Sequence, residues 1–222
     1  DVPPPALRAG GVLVATRYSL VSTGTEKMTI DLAKKSLIGK ALERPDLVKQ
    51  VLRKMKTEGF GSTMEKVKTK LDTPIALGYS CAGVVIAVAE DVGDFQVGDR
   101  VACAGQGYAS HAEVVFVPKN LCVKLPDGMD FEDAAYVTLG AIAMQGVRIA
   151  DVTLGENVIL IGLGLLGQLS LQILKSAGCR VLGVDIDPAK VERAKELGAD
   201  AAAVRGTDDI SAIANSLSRG RG

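Results

Sequence analysis

The stretch 158–187, VILIGLGLLGQLSLQILKSAGCRVLGVDID, constrains the fold more than any other part of the chain. It opens on an unbroken apolar run, Val158-Ile159-Leu160-Ile161, which predicts a strand buried on both faces. Gly162-Leu163-Gly164-Leu165-Leu166-Gly167 follows at once. Apolar residues then recur at helical spacing (Leu166, Leu169, Ile173, Leu174) until Gly178 stops the helix. A second buried strand, Arg180-Val181-Leu182-Gly183-Val184, ends in Asp185.

This spacing has a chemical meaning. Gly162 permits a tight turn out of the first strand, Gly164 lets a pyrophosphate approach the backbone, and Gly167 lets the helix pack close to the strand. The unpaired N–H groups and positive dipole end of the helix, at Leu165 and Leu166, then face the phosphates. Asp185 stands about 20 residues on, where a carboxylate accepts both ribose hydroxyls of an adenosine. The expected cofactor-binding set is therefore Gly162, Leu163, Gly164, Leu165, Leu166, Gly167 and Asp185. Asp185 favours NAD over NADP, because a 2′-phosphate would meet its charge and no Arg immediately follows to offset it; Arg193 lies too far along the next helix. Methyltransferases also bind adenosine this way, but they usually carry an acid before the first glycine, and here that place is taken by Ile161.

The remaining composition narrows the function classes. Lys+Arg and Asp+Glu both number 26, so neither nucleic acid nor a membrane surface is called for as a partner. No apolar run reaches the length of a membrane span and no signal peptide opens the chain, which predicts a cytoplasmic protein. Cys81, Cys103, Cys122 and Cys179 are scattered through apolar stretches without a CxxC, so they read as buried thiols rather than a disulfide framework or a zinc cluster.

Ahead of the glycine motif the chain is mostly β. Gly11 to Tyr18 alternates like a strand, and 22–26 reads as a polar loop. Residues 29–71 predict a helical segment with apolar positions at Leu47, Val48, Val51, Leu52 and Met55. Its other face, rich in Lys and Arg, reads first as a solvated surface and second as a basic lid over an anionic group. Strand and turn signals return over 74–101, 111–118 and 121–125, and 130–149 reads as helical. After Asp185 come a helix from Asp187-Pro188, a strand over 200–204 and a helix from about Asp208. This makes a βαβαβ half-unit, and a dinucleotide fold normally has two. A fragment of a longer polypeptide, inactive alone, is the expectation.

Gly24-Thr25-Glu26, Gly78-Tyr79-Ser80 with Ala82-Gly83-Val84-Val85, Val97-Gly98-Asp99-Arg100-Val101, Ala112-Glu113 before Val117-Pro118, and the glycine motif with Asp185 resemble, in order and spacing, the medium-chain dehydrogenase/reductase superfamily. The resemblance implies an α/β chain. A GroES-like, β-rich substrate domain (1–139, with the helical insertion at 29–71) is followed by the first half of a Rossmann domain (140–222), and the active site lies in the cleft between the two. It implies an NAD(P)-dependent enzyme acting on a small-molecule substrate.

Zinc-dependent members carry Cys–Gly–Thr/Ser–Asp and Gly–His–Glu motifs and a further Cys. Here Thr23, Tyr79-Ser80 and about Leu139 stand in those places, which is no zinc set. A zinc-free member with no metal site is expected. His111, the only histidine, reads as a packed or rim residue rather than a base. The insertion and the STGTEKM stretch (22–28) are similar to the dehydrogenase-like half of bacterial two-part oxidoreductases associated with polysaccharide synthesis. That likeness implies a sugar-like substrate and a fused second oxidoreductase domain as partner; a second copy of the chain is the other partner expected.

Hydride transfer without zinc needs hydroxyl donors at the developing oxyanion, or a substrate whose charge delocalises, such as an enone or quinone. Tyr79, Thr23 and Ser80 are the expected catalytic donors. Tyr79 is preferred, since a nearby cationic nicotinamide favours loss of the phenolic proton. The competing reading is a non-catalytic dinucleotide-binding module that regulates or scaffolds a partner domain.

Overall fold

A computed structural model describes residues 3–34, 53, 59, 61 and 76–221. Most of the predicted helical insertion, and its apolar stripe from Leu47 to Met55, lies outside the described residues. The chain divides into two compact units, Asp1–Ala135 and Tyr136–Gly222.

The first unit is built on strands β1 (Gly11–Ser19), β2 (Ser80–Val88), β3 (Arg100–Ala104), β4 (Val114–Pro118) and β5 (Cys122–Lys124), in the order β4-β1-β2-β3-β5 and antiparallel throughout. Alternation along the strands sends Val12, Val14, Cys81, Val85, Val101, Cys103, Val115 and Val117 into one core. Register shifts between Leu13 and Val14 and between Thr16 and Tyr18 mark bulges that bend β1. Gly83 is required where β2 crosses that strand: a Cβ there would lie 2.2 Å from the Ala15 carbonyl oxygen.

Three local expectations are corrected. Helix α1 (Thr23–Lys34) begins inside the stretch read as a polar loop, because the Glu26 carboxylate turns back to accept from the Ser22 N–H at 2.9 Å and closes the first turn. Strand β4 starts at Val114 rather than His111, since the His111 N–H is drawn aside to the Leu77 carbonyl. The segment 130–149 forms two helices, α2 (Phe131–Ala134) and α3 (Val137–Ile149), rather than one. Short α2 is held by the Arg100 guanidinium, 4.6 Å from the Phe131 ring centroid and hydrogen-bonded to the Met129 carbonyl.

The second unit has three parallel strands, β6 (Asn157–Ile161), β7 (Arg180–Asp185) and β8 (Ala201–Val204), in that order. They alternate with helices α4 (Leu165–Ser176), α5 (Pro188–Glu196) and α6 (Ile210–Ser218). Asp187 caps α5 by accepting from the Ala189 N–H, with Pro188 in the first turn, and Asp209 caps α6 by accepting from the Ala212 N–H. Leu163, Leu171, Leu174, Val181, Val191 and Ala194 form a core on one face of the sheet. Leu182, Val184, Ala203 and Leu217 form another on the opposite face. Strand β7 is therefore buried on both sides.

The same was expected of β6, and here the structure differs. Val158 and Leu160 pack inward, but Ile159 is 50% and Ile161 77% exposed. Among the described residues β6 pairs only with β7, and although α6 touches β6, the core that α6 closes is drawn from β7 and β8. No helix among the described residues is long and apolar enough to cross a membrane.

Candidate functional site

The glycine motif forms a cradle. Gly162 takes φ of +93°, a turn that disfavours any residue with a Cβ, and its N–H stays on the sheet by donating to the Val184 carbonyl at 2.8 Å. A Cβ on Gly167 would sit 1.9 Å from the Gly162 carbonyl oxygen, so α4 packs against the turn at a distance only glycine permits. A Cβ on Gly162 or Gly164, by contrast, would meet nothing within 4 Å. Open space thus lies over the turn and over the first residue of the α4 N-terminus. Gly164 caps α4 without a side-chain hydrogen bond, so the N–H groups that open the helix are offered outward.

Asp185 braces this cradle. Its Oδ2 accepts from the Leu163 N–H at 2.7 Å, and its Oδ1 accepts from the Asp187 N–H at 3.0 Å. These two bonds, the Leu163 one foremost, hold the carboxyl below the ordinary Asp range, helped by the Lys190 charge. Leu163, expected among the cofactor-binding residues, is placed under the cradle: its side chain is buried in the core and its N–H is committed to Asp185. Gln168 ties the turn to the next helix, donating to the carbonyls of Leu163 and Lys190 at 3.1 Å each. Leu165 and Leu166 stand at the helix start, both partly exposed.

One cation, Lys190, acts on the Asp185 carboxyl, and the backbone of a second basic residue, Arg205, is bonded to the Asp185 carbonyl. Lys190 lies 3.6 Å from Asp187, and the Arg205 N–H donates to the Asp185 carbonyl at 2.8 Å, which sets Arg205 just past the end of β8 beside β7. Arg193 is paired with Glu196 on the surface of α5.

In the first unit the expected donors lie on two segments, the start of α1 and the start of β2. Thr23 is exposed in the first turn of α1, and Tyr79 is half-buried just before β2. Ser80 does not offer a hydroxyl to a ligand: it is 2% exposed and donates to the Ala135 carbonyl at 2.6 Å. Its backbone carbonyl accepts from the Leu20 N–H, drawing the start of β2 against the segment that leads into α1.

His111 joins the same segments. Its Nε2 lies 2.9 Å from Oε2 of buried Glu26, and its Nδ1 lies 2.9 Å from the Ser19 Oγ. The imidazole thus bridges a carboxylate and a hydroxyl, one at each ring nitrogen. The ring also lies against Gly78, where φ is +95° and a Cβ would come within 3.0 Å of it. The end of β1, the first turn of α1 and the Gly78-Tyr79 turn are thus fastened to one imidazole. His111 is legible in the sequence as a packed or rim residue, but its partners Ser19 and Glu26 are not.

A zinc ion does not fit the residues aligned with the metal positions. Thr23, Tyr79 and Ser80 bring no thiolate, imidazole or carboxylate, and Leu139 is buried in α3. Among the described residues no group of three or more His, Cys, Asp or Glu side chains could hold a metal.

The family described as the alcohol dehydrogenase GroES-like domain matches residues 49–127, and the family described as zinc-binding dehydrogenase matches residues 166–222. The (R,R)-butanediol dehydrogenase of Bacillus subtilis is 30% identical over 169 residues, covering 65% of this chain and 49% of that protein. The D-guloside 3-dehydrogenase of Shigella flexneri is 36% identical over 126 residues, covering 56% of this chain and 35% of that protein. The crystal structure of a quinone oxidoreductase from Pseudomonas syringae aligns with a TM-score of 0.70 at 25% identity, covering 100% of this chain and 58% of that one. The chain thus spans about half or less of the length of these two curated relatives.

Proposed function

This chain belongs to the medium-chain dehydrogenase/reductase superfamily, and from that we propose that it is part of a zinc-independent, NAD-preferring oxidoreductase. The observation that carries the reading is the braced cradle, in which Gly162, Gly164 and Gly167 clear a path to the α4 N-terminus while Asp185 holds the turn. In this reading the N–H groups at Leu165 and Leu166 bind the pyrophosphate, and the charge of Asp185 accepts the adenosine ribose hydroxyls. When bound, the nicotinamide supplies or takes up the hydride.

The first unit would handle the proton. Thr23 and Tyr79 serve as hydroxyl donors to the oxygen where charge develops, the task a zinc ion performs elsewhere. Ser80 acts as the anchor that fixes Tyr79. The substrate class is a carbonyl, an enone or a sugar-like secondary alcohol. The relatives include a butanediol dehydrogenase, a guloside dehydrogenase and a quinone oxidoreductase, and each of these three substrate types fits hydride chemistry. Cysteines without a disulfide suit the cytoplasm. The exposed side of β6 supports the reading that further α/β structure, the second half of the dinucleotide fold, covers this sheet in the working enzyme.

One observation favours the non-catalytic alternative: the buried Ser80 hydroxyl is already spent on Ala135. Calorimetric titration of the longest intact polypeptide with NADH and NADPH, with and without Asp185→Ala and after metal analysis, separates the readings. Tight NADH binding, weaker NADPH binding, loss of that preference in the variant and no bound zinc are expected. With the carboxylate gone, Lys190 and Arg205 remain, so NADPH affinity should rise in the variant. Absence of nucleotide binding by folded protein would sink the dehydrogenase reading, and stoichiometric zinc would overturn the metal-free one.

A further inference from the structure

Three cysteines stand in one row across the sheet of the first unit. Cys81 on β2 is opposite Cys103 on β3, and Cys103 is opposite Cys122 on β5. The two pairs are not equivalent. The Leu125 N–H donates to the Arg100 carbonyl, so along β3 and β5 the hydrogen-bonded pairs are 100/125 and 102/123, and Cys103/Cys122 is a non-hydrogen-bonded pair. Between β2 and β3 the Gly105 N–H donates to the Tyr79 carbonyl, which makes Cys81/Cys103 a hydrogen-bonded pair. Cβ atoms approach to about 4.5 Å in the first kind and about 5.5 Å in the second. A disulfide needs about 3.5–4.5 Å. By that spacing the Cys103/Cys122 pair suits a disulfide better than Cys81/Cys103, and its sulfurs already lie 3.8 Å apart.

Access also distinguishes the three. Cys81 and Cys103 are 0% and 2% exposed, whereas Cys122 is half-buried at the start of a three-residue strand at the sheet edge. Hydrogen bonding to Cys122 and to Cys81, together with burial, pushes the Cys103 thiol up, so it stays protonated and cannot attack first.

We propose that Cys122 and Cys103 form a thiol–disulfide exchange site, in which Cys122 attacks a low-molecular-weight disulfide and Cys103 resolves the adduct into a cross-strand bond joining β5 to β3. In the first step the Cys122 thiolate bonds to one sulfur of the disulfide RSSR and expels RS⁻. In the second, the RS⁻ released in the first step takes the Cys103 proton, and the Cys103 sulfur bonds to the Cys122 sulfur and expels the other RS⁻. The two protein thiols lose two electrons, RSSR gains them, and the two protons end on two RSH molecules.

Glutathione disulfide is the probe. After incubation with the native chain, peptide mapping should show a Cys103–Cys122 crosslink that dithiothreitol reverses. The bond fixes an edge strand and should raise Tm by roughly 5 °C. Cys103→Ser should stop at a glutathione adduct on Cys122, Cys122→Ser should give neither adduct nor crosslink, and Cys81→Ser should still crosslink. Wild-type protein that is folded by circular dichroism yet gives no crosslink, or that joins Cys81 to Cys103 instead, would overturn the proposal. The wild-type map decides the matter even if a serine variant fails to fold.

Discussion

At the scale of the residue, the three glycines of the cradle do different work, and substitution separates them. Gly164 faces open space at an ordinary φ of −69°, so Gly164→Ala should cost under about 1 kcal/mol of stability. Its new methyl would occupy the cradle itself, and NADH affinity should fall by about tenfold, read by calorimetry. Gly167→Ala places the same methyl 1.9 Å from the Gly162 carbonyl oxygen, where backbone and not a pliable side chain must move. That variant should lose stability by about 2–3 kcal/mol in urea as well as losing the nucleotide. If the two variants behaved alike, the division between a packing glycine and a binding glycine would be wrong.

At the scale of the element, the brace between β7 and the turn before α4 gives a pH dependence of fixed sign. Asp185 has its carboxyl lowered in the folded chain by the Leu163 and Asp187 N–H groups, so it favours folding when ionised. That contribution is complete above the ordinary Asp value of about pH 4 and is lost as pH falls through the lower folded value. Asp185→Asn should therefore be less stable than the wild type at pH 7, and the gap should narrow below about pH 4 in urea unfolding. Strand β7, α4 and the turn between β6 and α4 are readable in the sequence because their partners lie within one βαβ unit. Glu26 and Ser19 were not readable as partners of His111, being 85 and 92 residues away along the chain. Only the antiparallel pairing of β1 with β2 and β4, together with the capping turn of Glu26, brings them together. The cysteine row was hidden for the same reason, since it depends on registers that no local pattern encodes. Apolar run Val158 to Ile161 predicted burial on two faces because hydrophobicity reports what a strand can bury, not whether a neighbouring element covers it.

At the scale of the whole molecule, that last difference becomes a test of what the chain belongs to. Ile159 and Ile161 project from the same face of β6, 50% and 77% exposed, while Val158 and Leu160 pack into the core beneath α4. An isoleucine that exposed contributes little to the stability of this chain. Ile161→Lys should change its unfolding free energy by no more than about 0.5 kcal/mol. If further strands and helices close over β6, as proposed for the working enzyme, the same lysine would be buried without a partner. The cost in that longer polypeptide should then exceed about 2 kcal/mol. Val158→Ala supplies the opposite pattern, since its side chain packs on the covered face and should be costly in both contexts. Urea unfolding of the two variants in the two polypeptides therefore reads out whether β6 is an outer edge or an inner strand. Equal, small effects of Ile161→Lys in both would mean that β6 remains an edge and that the cradle works on a sheet open on one side.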